Sequence, residues 1–92
     1  MRSTWAFDLA GRLAGRIAAA TGTRARVRRR PEGGGYRVEA VLPEGLGDVP
    51  HLLLLSVLAE ADRYGHRYCG EVDLVWAEVD DRAGRGAADG SG

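Results

Sequence analysis

Lysine, asparagine and glutamine are absent from the 92 residues, and cysteine and methionine occur once each. A lone Cys69 excludes an internal disulfide, the usual support of small secreted domains, and fits a reducing cytoplasm. No apolar run approaches the roughly 20 residues that span a bilayer. The N-terminal stretch is broken by Asp8, Arg12 and Arg16 and makes a poor signal peptide. All 13 basic residues are arginine, and alanine and glycine are abundant. This is the codon signature of a high-GC, bacterial genome, and it weakens any functional reading of arginine by itself.

A chain of this length supports one core, and 45% apolar residues suffice to build it. Net charge is zero, but residues 1–37 carry nine arginines against two acids, whereas residues 38–92 carry four against eleven. Two such halves can neutralise each other or meet an oppositely charged partner.

Trp5, Leu9, Leu13 and Ile17, with Ala6, Ala10 and Ala14, recur at helical spacing and predict an amphipathic helix over residues 4–20. Ser3 or Thr4 can cap its start, and Gly22 lies where a left-handed residue ends it. From Thr23 the period becomes two. Ala25 and Val27 alternate with Arg24, Arg26 and Arg28, and Tyr36, Val38, Ala40 and Leu42 resume after residues 31–34. A four-residue loop there sets Val27 opposite Val38 and Ala25 opposite Ala40, with Arg26 facing Glu39; a one-residue slip scatters the apolar set.

Asp48 is positioned to cap a second helix from about Val49 to Tyr64, with Gly65 ending it. Its apolar residues exceed a single stripe. Leu54, Leu58 and Ala61 mark one face, whereas Leu52, Leu55 and Ala59 lie well around the cylinder and suit a protein partner. A last strand over residues 68–79 points Val72, Leu74 and Trp76 inward and Glu71, Asp73 and Val75 outward. The reading is a two-layer α+β sandwich of order α-β-β-α-β, residues 1–81, with both helices on one face of a three-stranded sheet of order 2-1-3. Residues 82–92 read as a disordered tail. The order resembles a ferredoxin-like unit lacking its first strand, which implies a fold and no ligand.

The chemistry-bearing residues are few. Arg24, Arg26, Arg28 and Arg30 repeat every second residue, about 6.7 Å along a strand, near the phosphate repeat of a nucleic-acid strand. Glu39, Glu71 and Asp73 are placed to neutralise them. His51, His66 and Cys69 are the only histidines and cysteine, too few for a four-ligand zinc site without a carboxylate, so no metal or other cofactor is expected. Cys69 with His66 lacks an orienting third group, Ser56 lies within the second helix, and Asp62, Arg63, Tyr64 and His66 gather at its end without forming a catalytic set. Gly33, Gly34 and Gly35 join two strands, which is not a phosphate cradle. Trp5 and Trp76 are expected in the core. The expected role is therefore a non-enzymatic, self-associating interaction protein with contacts at Leu52, Leu55 and Ala59. The alternative is a nucleic-acid-binding protein using the arginine row.

Overall fold

The computed structural model describes residues 5–31 and 33–81, the side chain of Cys69 excepted. The expected capping residues Ser3 and Thr4 and the tail at 82–92 lie outside them. In chain order the elements are α1 (Trp5–Thr21), β1 (Ala25–Arg29), β2 (Gly35–Val41), α2 (Asp48–Leu58), β3 (Arg63–Cys69) and β4 (Val72–Asp80). The sheet has four antiparallel strands in the order β1-β2-β4-β3.

The first half follows its pattern. Ala6, Ala10, Leu13, Ile17 and Thr21 form the buried stripe of α1, and the Thr21 hydroxyl donates to the Ile17 carbonyl at 2.8 Å. Gly22, at φ +75°, ends the helix and donates its N–H to Ala18 at 2.8 Å. The β1–β2 register is the expected one, Ala25 opposite Ala40, Arg26 opposite Glu39 and Val27 opposite Val38. The Arg30 N–H closes the loop on the Gly35 carbonyl at 2.9 Å.

The second half departs from the expected three-stranded sandwich at Leu58, where α2 stops. The Glu60 and Ala61 N–H groups bond Val57 and Leu58 at 3.0 Å, tightening the exit. Asp62 then inserts the chain into the sheet: its N–H donates to the Glu78 carbonyl at 2.9 Å, and its carboxylate accepts the Asp80 N–H at 2.7 Å. Residues 63–69, assigned from sequence partly to a helix end and a turn, are the edge strand β3. Gly65 is therefore not a helix cap. A Cβ there would fall 2.5 Å from Trp76 Cζ2, so a side chain at this position would force the indole lying across the strand to shift. The turn lies later, at Gly70-Glu71, where Gly70 at φ +65° supplies the positive dihedral that a two-residue hairpin needs at its first position.

The extra strand changes the sheet order. β2 and β4 are central, β1 is an edge, and among the described residues no strand pair is parallel, so neither the 2-1-3 order nor the ferredoxin-like likeness holds. The inward face of β4 is also the reverse of that expected. Val75, Ala77 and Val79 are buried, because β2 places Ala40, Val38 and Tyr36 directly opposite them. Leu74 and Trp76 lie on the outer face. Both helices cover the inner one, as expected, and the core joins Leu13 and Ile17 of α1, Leu54, Val57 and Leu58 of α2, and the buried residues of β2 and β4. Trp5 is 46% exposed, so neither tryptophan is a fully buried core residue. Among the described residues no helix is long and apolar enough to cross a membrane.

Candidate interaction surface

Two helices cannot cover four strands equally. α1 packs chiefly on β2 and β1, and α2 lies beside α1. On α2, Leu53 and Val57 turn towards Arg16, Ala19 and Ala20 of α1, and the Arg16 guanidinium bonds Glu60 at 2.7 Å just beyond the helix. Leu54 and Leu58 turn into the core. The helical period then puts Leu52, Leu55 and Ala59 on the side away from α1, with Leu55 facing β3 and Leu52 turned almost opposite the buried Leu54. Leu52 is 64% exposed and Leu55 41%, and Ala59 is exposed as the C-cap.

Beneath that flank the sheet is incompletely covered. An open cavity of about 250 Å³ runs between α2 and the sheet, lined by His51, Leu54, Leu55, Tyr64, His66 and Val75 among others. Tyr64 and Tyr68 of β3 point to the helix side and remain 49% and 67% exposed. The His66 Nε2 and the Asp73 carboxylate are 2.8 Å apart across the β3–β4 hairpin, which holds the imidazole against its own sheet. Thus Leu55 lines one hollow with Tyr64, which sequence reasoning had placed at a helix end, while Leu52, Ala59 and Tyr68 are exposed outside its lining.

The outer face is a lattice of charge. Arg30 bonds Asp80 at 2.9 Å, Arg63 bonds Asp80 and Glu78, Arg37 bonds Glu78 and Glu39 at 2.8 Å, and Arg28 approaches Glu39 at 3.5 Å. The Arg37 guanidinium also lies 4.5 Å from the Trp76 ring centroid, and Trp76 in turn crosses Gly65. Hydrogen bonds from Arg63 hold the Asp80 carboxyl below its ordinary value against the opposing effect of burial. Burial pushes Glu78 up, but hydrogen bonds from Arg63 and Arg37 outweigh it and leave the carboxyl lowered. Arg63 is raised by its bonds to Asp80 and Glu78.

This lattice takes in half of the expected arginine row. Arg28 and Arg30 are paired, whereas Arg24 and Arg26 stand at the sheet edge with no ion pair among the described residues. The neutralising acids are not Glu71 and Asp73, as expected from a central β1. Glu71 sits in the β3–β4 turn and Asp73 faces His66, because β1 is at the opposite edge.

The catalytic candidates disperse. The Ser56 hydroxyl donates to the Leu53 carbonyl at 2.9 Å, within its own helix. Strand alternation splits the polar cluster: Arg63 goes to the outer lattice, Tyr64 and His66 to the helix side, and Asp62 to the strand junction. Among the described residues no three of His, Cys, Asp and Glu converge on a metal position. No protein-family model, curated protein or solved structure matches the chain.

Proposed function

We propose that the chain is a small non-enzymatic protein–protein interaction module that self-associates through the helix side of its β3 half. The observation carrying this reading is the apolar hollow that the helices leave open above the sheet, lined by the part-exposed Leu55 and Tyr64, with Leu52 and Tyr68 exposed on the same two elements. Contiguous apolar and aromatic surface of this kind, rimmed by polar groups, is the usual composition of a contact site. Leu52 and Leu55 add little to the monomer's core, so partner binding gives their exposure a role.

Size-exclusion chromatography with light scattering tests it. The chain is expected to be dimeric at high micromolar concentration, and the double variant Leu52→Gln/Leu55→Gln is expected to be monomeric while melting within a few degrees of the parent. A monomeric parent overturns the proposal. The alternative, nucleic-acid binding by the arginine row, is supported by the exposure of Arg24 and Arg26 and opposed by the pairing of Arg28 and Arg30.

A further inference from the structure

We infer that the partner is a second copy of this chain, docked by antiparallel pairing of β3 with β3 about a two-fold axis at His66, so that two four-stranded sheets become one. This rests on the self-association reading and adds its geometry.

The hydrogen-bond alternation decides which backbone groups are free. The Leu42 N–H donates to the Asp73 carbonyl and the Asp81 N–H to the Gly34 carbonyl, so Asp73, Val75, Ala77 and Val79 direct their backbone groups towards β2. Trp76 and Leu74 therefore pair with Gly65 and Arg67. Tyr64, His66 and Tyr68 are left with N–H and C=O pointing away from the sheet, an unprotected edge.

The sequence of β3 then selects the register. With His66 opposite its symmetry mate, Tyr64 faces the second copy's Tyr68, and every outward N–H and C=O of these residues finds a partner. Arg67 comes opposite Gly65, a position with no side chain. Sliding the pairing by two residues in one direction sets Arg63 against Arg67. Sliding it the other way sets Arg67 against itself. Both slips also leave outward amides unpaired, and directly opposed like charges are destabilising.

The other edge is a poor competitor. β1 presents Arg26, Arg28 and Arg29, all exposed, and charge along an edge strand is a recognised guard against pairing. Docking β1 on the arginines of β3 would add like charges and build an open chain of copies instead of a closed pair.

The helix layer agrees with this seam. Strands repeat about every 4.8 Å and packed helices about every 10 Å, so pairing the two β3 strands brings the two incompletely covered halves of the sheet together under the two copies of α2. The flank of α2 bearing Leu52, Leu55 and Ala59 would meet its own copy above the paired tyrosines, closing the hollow in both chains.

Disulfide trapping in a Cys69→Ser background tests the register. His66→Cys alone should form a covalent dimer under mild oxidation. Tyr64→Cys and Tyr68→Cys should each stay free of covalent dimer alone and cross-link when mixed. In the otherwise native chain, His66→Pro removes the central N–H from both copies and should weaken the dimer roughly thirtyfold, the loss of two symmetry-related hydrogen bonds. Proline is tolerated where an edge N–H faces solvent, and circular dichroism confirms the fold. Failure to trap His66→Cys in a chain that light scattering shows to be dimeric, and that Leu52→Gln/Leu55→Gln makes monomeric, overturns the strand pairing and leaves the self-association reading intact. A monomeric parent overturns both.

Discussion

Replacing Gly65 by alanine separates a strand residue under an indole from a helix cap. A Cβ at Gly65 would fall 2.5, 2.7 and 2.9 Å from Cζ2, Cε2 and Nε1 of Trp76, well inside contact distance. The ring cannot simply lift, because the Arg37 guanidinium lies 4.5 Å from its centroid and is itself bonded to Glu39 and Glu78. Overpacking of this kind costs about 1–3 kcal/mol. Replacing glycine within a strand returns roughly 0.5–1 kcal/mol of backbone entropy. The expected net loss is therefore about 1–2 kcal/mol, or roughly 4–16 °C in melting temperature for a domain of this size.

A helix-cap glycine would cost a similar amount, so the single variant does not decide. The cycle with Trp76→Leu does. Removing the indole should make Gly65→Ala neutral or slightly stabilising, a coupling of at least ~1 kcal/mol measured by urea unfolding of the four proteins. An equal cost of Gly65→Ala in both backgrounds would refute the close approach and, with it, the strand's packing.

Leu54→Ala, which empties a fully buried site, should destabilise the fold by about 2–5 kcal/mol, whereas Leu55→Gln should change it by no more than ~0.5 kcal/mol in dilute monomer; calorimetry compares them. Glu78 and Asp80 have lowered pKa values in the fold, so the unfolded chain binds more protons in acid and their contribution is present above the ordinary carboxylate range. That contribution should fade as pH drops through the folded values, and Arg63→Met should flatten the dependence of the urea midpoint on pH. An unchanged slope would remove the outer lattice from the account. Reversing charge at Arg24 and Arg26 should leave the ratio of absorbance at 260 to 280 nm of the purified protein unchanged; a salt-removable nucleic-acid load lost on reversal would favour the alternative function.

What could be read from the chain depended on contrast between faces. β1 and β2 alternate arginine or glutamate with small apolar residues, and only one loop length aligns them, so the register was legible. In α1 the period and Gly22 sufficed. β3, Arg-Tyr-Gly-His-Arg-Tyr-Cys, is polar or aromatic on both faces and showed no period, and its glycine imitated a helix stop. The overlooked cue was Gly70-Glu71, a two-residue hairpin turn. β4 is apolar on both faces at Val72, Leu74 and Trp76 and at Val75, Ala77 and Val79, so period alone could not orient it; the pairing with Val38 and Ala40 does.

The candidate site shows the same division. Leu52 and Leu55 were legible as leucines in excess of one stripe. Tyr64 was not, because its place beside Leu55 of α2 exists only once residues 63–69 are a strand. Likewise Glu39, the partner of Arg28, was legible from the hairpin, whereas Asp80, the partner of Arg30, depends on which strand lies beside β2, a fact of topology that local pattern does not carry.

The most direct test of self-association through the β3 half is to follow backbone amide shifts by NMR as the protein is diluted from high to low micromolar concentration. The account expects concentration-dependent shifts at Leu52, Leu55, Tyr64, His66 and Tyr68, with β1 and the α1 face that covers it unmoved. Shifts confined to β1, or a spectrum independent of concentration with the diffusion rate of a monomer, would contradict it.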